Sequence, residues 1–331
     1  MIHPSFALRP GRSLHLWIRL FLLAGVLVSV FPPGRLSAEE GLEEMESESA
    51  EGEAEGAPCV SYGALELTIG NVGLGLGDAK RIVGVRINYR DCALQRVDGI
   101  NVTLWKPERP VRGEVNGVAL GLPLTEARRI HGLGFGLFGV GSEERFIGIG
   151  VGGFGVGAGE DFTGIGVGGF GVGAGQNARG LLFSPVGVGA GESLSALAIG
   201  GLGVGAGGNA QGVLLSPLGV GAGGSIRGIA IGGLGVGAPR VRGALLSLFG
   251  AGGVDVIGVT FAPAWLRIDD DGRMTGISLA AFNEVRGRMT GLSIGLVNHA
   301  RSLHGVQLGL INHAGNNPPL LRWLPLLNAH F

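Results

Sequence analysis

Residues 148–179 read GIGVGGFGVGAGEDFT-GIGVGGFGVGAGQNAR, two consecutive units of sixteen residues. Within the first unit, Ile149 and Val151 alternate with Gly on one parity, and Phe154, Val156 and Ala158 alternate with Gly on the other. Strict period two marks β-strand. The change of parity at Gly152-Gly153 reads as a corner between two short strands or as a bulge that turns the side chains over. Other units carry Ser184-Pro185 and Ser216-Pro217 at that point. Pro has no N–H to give to a ladder, which favours the corner.

The same frame extends in both directions. Units begin at Gly132, Gly148, Gly164, Gly180, Ala196, Gly212 and Gly228, continue at Gly243, Gly258, Gly276, Gly291 and Gly305 with spacings of fourteen to eighteen, and run back to Gly117, Gly99 and Gly84. Fifteen units in one frame describe a tandem array and not a mosaic of domains. Between 132 and 258 every charged residue sits eleven to fifteen places into its unit, as Glu160 and Asp161 do, so polar chain is confined to the inter-unit turns.

Toward the end the chemistry changes while the frame persists. Asn283, Asn298 and Asn312 occupy the same place in the units that start at Gly276, Gly291 and Gly305. Asn tolerates a left-handed backbone, and stacked Asn side chains bond one another in a ladder, which requires successive units to lie parallel and in register.

The Gly-h-x-h-Gly-h-h-Asn units of 291–312, with h apolar, and the ending Asn316-Asn317-Pro318-Pro319 … Leu324-Pro325-Leu326-Leu327-Asn328-Ala329-His330-Phe331 resemble the short-repeat surface proteins of Gram-negative bacteria, the surface repeat-containing proteins. The resemblance covers about 84–331 and is specific for 276–331. It implies a cell-surface or outer-membrane setting and no catalytic residue. The units of 148–240 depart from the pattern, with Gly155, Gly171 and Gly203 where the family has Asn.

Two all-β architectures accommodate the array. In a β-solenoid, with one unit per coil and parallel stacking, neighbouring units resemble each other because they occupy equivalent environments. Ile149, Val151, Phe154 and Val156 are then expected to fill the interior, with the Gly positions forming flat faces. In a closed antiparallel outer-membrane β-barrel, each uncharged run is a strand of ~10 residues, and the near-duplication of 180–211 by 212–242 suits a hairpin repeat. The mid-unit change of parity and a lumen lined by Gly weigh against the barrel.

Composition agrees with an array. The chain has 331 residues, 68 of them Gly, and a mean hydropathy of +0.39. No Gly-X-Y triplet runs through it, so it is not collagen, and it is too rich in Val, Ile, Leu and Phe for a disordered chain. A net charge of −1 with singly scattered Arg offers nothing to nucleic acid.

Residues 1–38 read as a signal peptide: Arg9, Arg12 and Arg19 precede an apolar run of twelve at 20–31, shorter than the ~20 residues that cross a bilayer as a helix. Leu36-Ser37-Ala38 offers the cleavage site. Residues 39–57 form an acidic leader expected to be disordered, 58–83 an N-terminal strand or cap, 84–315 the array, and 316–331 a C-terminal cap ending in Phe331. In an oxidising compartment Cys59 and Cys92, the only cysteines, are expected to form a disulfide.

No catalytic, cofactor-binding or metal-binding residue is legible. Gly166-Val167-Gly168-Gly169-Phe170-Gly171 matches GxGxxG by composition alone and opens no helix. Asp269-Asp270-Asp271-Gly272 lacks the further ligands of a calcium loop and reads as a polar turn. His299 and His313 recur at one frame position and are expected to stack about 5 Å apart in a solenoid. The expectation is therefore an exported, non-enzymatic repeat protein with a structural or adhesive role at the outer membrane or cell surface. Its possible partners are envelope components, with no cofactor, nucleic acid or small-molecule ligand; the alternatives are an outer-membrane pore, or a periplasmic location.

Overall fold

The computed structural model describes residues 63–92, 94–107 and 111–331. The expected signal peptide, the acidic leader and Cys59 lie outside the described residues. Within them, Gly164 is paired with Gly148 on one side and Gly180 on the other, both in parallel strands. The same register carries through the array from Gly84 opposite Gly99 to Gly291 opposite Gly305. Each unit is thus one coil of a β-solenoid of about fourteen coils. Antiparallel pairing is confined, among the described residues, to the two ends: Ala64–Ile69 pairs with Val72–Gly77, and Val297–Ala314 with Trp323–His330. The antiparallel barrel is overturned, since parallel neighbours sixteen residues apart require each chain to return to its starting side before the next strand begins.

A sixteen-residue coil has two walls. The long wall is a strand of eight residues such as Asp161–Gly168, and the short wall a strand of four such as Gly171–Ala174. Corners at 169–170 and 175–176 join them. Along the long wall Phe162, Gly166 and Gly168 are buried, whereas Thr163, Ile165 and Val167 face out. On the short wall Val172 is buried, between the partly exposed Gly171 and Gly173.

This reverses half of the expected interior. Val156 is 3% exposed, but Ile149 is 40%, Val151 37% and Phe154 52% exposed. The alternation does not flip at Gly152-Gly153; even-numbered residues of this coil point inward on both walls. What changes is which face carries the apolar groups: outside on the long wall, inside on the short one. A period of two sorts residues into faces without saying which face is the interior.

The interior is filled by matched volumes. Phe146 and Phe162 stack with ring centroids 5.0 Å apart. Each sits beside an inward glycine of its own wall, Gly150 and Gly166, where a Cβ would strike the ring and the valine opposite. In the next coils the large and small members exchange places: Ala178 with Leu182, Leu194 with Ala198, Ala210 with Leu214, and Ile226 with Ala230. Interiors close-pack, so a large side chain needs a small neighbour. This exchange accounts for the two-unit near-duplication of 180–211 by 212–242 without a hairpin.

The corner between the walls is closed in two ways. Where Ser-Pro stands, Ser184 Oγ accepts the amides of Val186 and Gly187 at 3.2 Å each. From the coil of Gly276 onward the corner is one residue shorter, because two residues separate Leu279 from Phe282 where three separate Phe261 from Trp265. Asn283 therefore stands opposite Leu266, in the inward column that continues back through Ala251 to Val236. The residues equivalent to the asparagines are thus Val156, Val172 and Val204, and not Gly155, Gly171 and Gly203 as counting along the unit suggests.

Candidate interaction surface

The long wall carries two outward columns. One runs in register from Val85 through Ile149, Ile165, Leu181 and Leu197 to Val306, and the other from Ile87 through Val151, Val167, Phe183 and Ile199 to Leu308. Every member of both columns is Val, Ile, Leu, Phe or Ala. The corner beside them adds an aromatic ridge: Phe138, Phe154 and Phe170 stack at 5.3 Å intervals, and Leu202, Leu218 and Leu234 continue the line exposed. Strands ~4.8 Å apart make this surface roughly 65–70 Å long. With a width of about 15 Å it covers roughly 1,000 Å², above the ~300–600 Å² of the largest apolar patch on a typical monomer.

The column on the other flank is polar and mixed. Thr163, Arg179, Ser195, Gln211 and Arg227 follow one another in register. Toward the N-terminal end charges are paired across coils. Arg129 bridges Glu144 at 2.7 Å and Glu114 at 3.0 Å, which raises the guanidinium pKa, chiefly through its hydrogen bond to Glu144. The Asp98 carboxyl is held below its ordinary value by hydrogen bonds from Arg96 and Asn116.

The short wall is bare over eight coils. Its outward positions are Gly139 and Gly141 at one end, then Gly155 and Gly157, Gly171 and Gly173, and so on to Gly250 and Gly252. Most of these glycines are not required by backbone geometry. A Cβ on Gly157 would approach nothing closer than the Gly173 carbonyl at 3.9 Å, and one on Gly203 would meet nothing within 4 Å. Beyond Gly250 the same column takes large side chains, Trp265 and then Phe282, and the Gly252 column continues as Arg267, Glu284 and His299.

The asparagines lie inside the C-terminal coils, away from that surface. Asn283 Nδ2 donates to Asn298 Oδ1 at 2.8 Å, and Asn298 Nδ2 to Asn312 Oδ1 at 2.7 Å. The same amides reach corner carbonyls, Ala280 O at 3.1 Å from Asn283 and Gly309 O at 2.9 Å from Asn312. They close the shortened corner that Ser184 and Ser216 close elsewhere. His299 and His313 stack with centroids 4.6 Å apart and planes within 8°, with Trp323 against His313 at 4.3 Å. Burial lowers both imidazole pKa values, the neighbouring ring and Arg322 adding to the effect at His313, while Glu284 opposes it at His299. Face-to-face rings keep their nitrogens at the edges and do not converge them on one point, as a metal ~2.1 Å from each would need. Among the described residues no three of His, Cys, Asp and Glu gather in a group that could hold a metal ion. Asp269, Asp270 and Asp271, expected as a polar turn, instead lie within the strand Trp265–Leu279, where the register breaks between Ile268 and Arg273, and pair with Arg267, Arg286 and Arg301.

One polar cluster escaped the sequence reading. Arg86, fully buried in the first coils, pairs with Asp91 and donates to Asn101 Oδ1 at 2.9 Å, while Thr103 donates to Asp91 Oδ2 at 2.7 Å. The available signal was its frame position: Arg86 and Asn101 share the column of Ala119 and Gly134, which is interior. Cys92 is buried beside this cluster, and its expected partner Cys59 lies outside the described residues.

No family model, no curated protein and no solved structure matches the chain. Fold and surface alone therefore define the class: a parallel β-solenoid with one continuous apolar outer face and one bare glycine wall.

Proposed function

We propose that this is an exported, non-enzymatic repeat protein whose solenoid presents a structural or adhesive surface at the bacterial outer membrane. The observation that carries the reading is the pair of outward apolar columns, unbroken from Val85 to Leu308. A surface of that extent marks an interaction site, and a rod of equivalent coils repeats the same contact along its length. The signal-like segment 1–38 and the resemblance of 276–331 to surface repeat-containing proteins support the location. A disulfide between Cys59 and the buried Cys92 belongs to the same reading.

Fractionation tests it. In a Gram-negative host the full chain, tagged after Phe331, is expected in the envelope fraction, cleaved near Ala38, and released by carbonate without the heat-modifiable mobility of a barrel. Recovery of uncleaved protein from the cytosol contradicts the location.

A further inference from the structure

We propose that the two outward apolar columns and the adjoining corner ridge form the interface with a second copy of this chain, sheet against sheet. The area is the first argument. Roughly 1,000 Å² from each copy gives about 2,000 Å² in all, at the upper end of the ~1,200–2,000 Å² of stable specific interfaces. Shape is the second. Coils that stack in register present a straight row of Ile165, Leu181 and Leu197 beside a straight row of Val167, Phe183 and Ile199. Two such faces interdigitate at the ~10 Å separation of packed sheets.

Chemistry distinguishes a protein partner from a lipid surface. Membrane-facing surfaces enrich Trp and Tyr at their margins and basic residues at the headgroups. Neither column contains a Trp or Tyr: Trp265 lies on the short wall, Trp323 in the C-terminal strand, and the exposed Tyr89–Trp105 stack is a single pair at the N-terminal end, just past the strands that end at Asn88 and Thr103. In the polar column beside the apolar rows the charged members beyond Thr163, which are Arg179, Arg227 and Arg242, are basic, but Ser195 and Gln211 part Arg179 from the other two, so they do not form one cluster. A second copy meets there a mixed rim of the kind that borders protein interfaces. The monomer does not need these residues for its core, which is built from the opposite parity of the same strands.

The inference rests on the reading of the protein as a surface-presenting scaffold only for where the pair resides. Sedimentation of the purified full chain from about 0.1 to 100 μM is expected to show a species of twice the 33.6 kDa chain mass, allowing for removal of the leader. The double variant Ile165→Glu, Leu197→Glu is expected to weaken association at least ~100-fold while keeping its β circular dichroism. Gly157→Ser, on the bare wall, is expected to leave the dimer unchanged. A wild-type chain that stays monomeric throughout, or a double variant that stays dimeric, overturns the proposal. So does a monomer that floats with phosphatidylethanolamine–phosphatidylglycerol vesicles and loses that binding in the double variant, because the occupant is then lipid. A dimer recovered from the cytosol leaves the interface standing and removes the surface location; a monomer recovered from the envelope does the reverse.

Discussion

A Cβ placed on Gly164 would lie 1.9 Å from the carbonyl oxygen of Gly148, the residue one coil below it. Gly164 has φ 138°, and the same relation recurs between Gly180 and Gly164 at 2.0 Å and between Gly258 and Gly243 at 1.9 Å. Where a unit starts at positive φ, glycine is therefore demanded by backbone contact between coils. Most of its counterparts on the short wall meet no such demand: a Cβ on Gly157 would stay 3.9 Å from the nearest carbonyl oxygen.

Gly164→Ala is expected to destabilise the solenoid by about 1–3 kcal/mol, the cost of holding a non-glycine residue in a strained backbone region. Gly157→Ala should change stability by no more than ~0.5 kcal/mol, as surface substitutions usually do. Ala196, which stands in the Gly164 column without a positive φ, shows that the backbone escapes the clash only by changing conformation. Denaturant titration of the two variants side by side checks the contrast; equal effects would remove the distinction between the two kinds of glycine.

Val156→Asp places an unpaired charge in the interior and is expected to cost several kcal/mol, enough to prevent folding of the central coils. Ile149→Asp, seven residues earlier and on the outer face, should retain native circular dichroism. Loss of structure in both would return Ile149 to the interior.

Asn298 accepts from Asn283 and Ser293 and donates to Asn312 and Leu308 O, all inside the coil. Asn298→Ala strands several buried groups, each costing ~1–3 kcal/mol when left without a partner. Amide exchange should accelerate over 276–314 and remain slow over 148–240. Uniform acceleration along the rod would mean that the C-terminal coils are not separately held by the ladder.

His299 and His313 have pKa values lowered by burial from an ordinary 6.5. The unfolded chain then binds protons first as pH falls, so their contribution is fully present above about pH 6.5 and is lost between that value and the lowered folded pKa. Acidification through this window is expected to lower the melting temperature of the C-terminal coils. The double variant His299→Gln, His313→Gln should flatten that dependence, whereas an unchanged profile would assign it to other groups.

The repeat frame, the parallel stacking and the asparagine ladder were legible because each depends only on spacing: Gly148, Gly164 and Gly180 recur at sixteen, and Asn283, Asn298 and Asn312 recur in step. The inside of the coil was not legible. Gly150 and Ile149 alternate as a buried and an exposed residue do, and burying the larger is the ordinary expectation. Here the interior beside Gly150 is already occupied by Phe146 and Val156, which leaves room for hydrogen only. The corner was misaligned for a related reason, since a one-residue deletion before Asn283 moves it into the column of Val236, and the fifteen-residue step from Gly276 to Gly291, equal to that from Gly243 to Gly258, does not say where in the coil the residue is missing. Arg86 was hidden because its partner Asp91 comes from the loop that follows its strand.

Each unit climbs one strand spacing along a single axis. Spin labels at 163 paired in turn with labels at 179, 195, 211 and 227, outward residues that follow one another in register, measure that climb directly. The expected distances grow in near-equal steps of ~4.8 Å per coil. Distances that alternate, long to 179 and short to 195, would show units running up and down, and would contradict the solenoid.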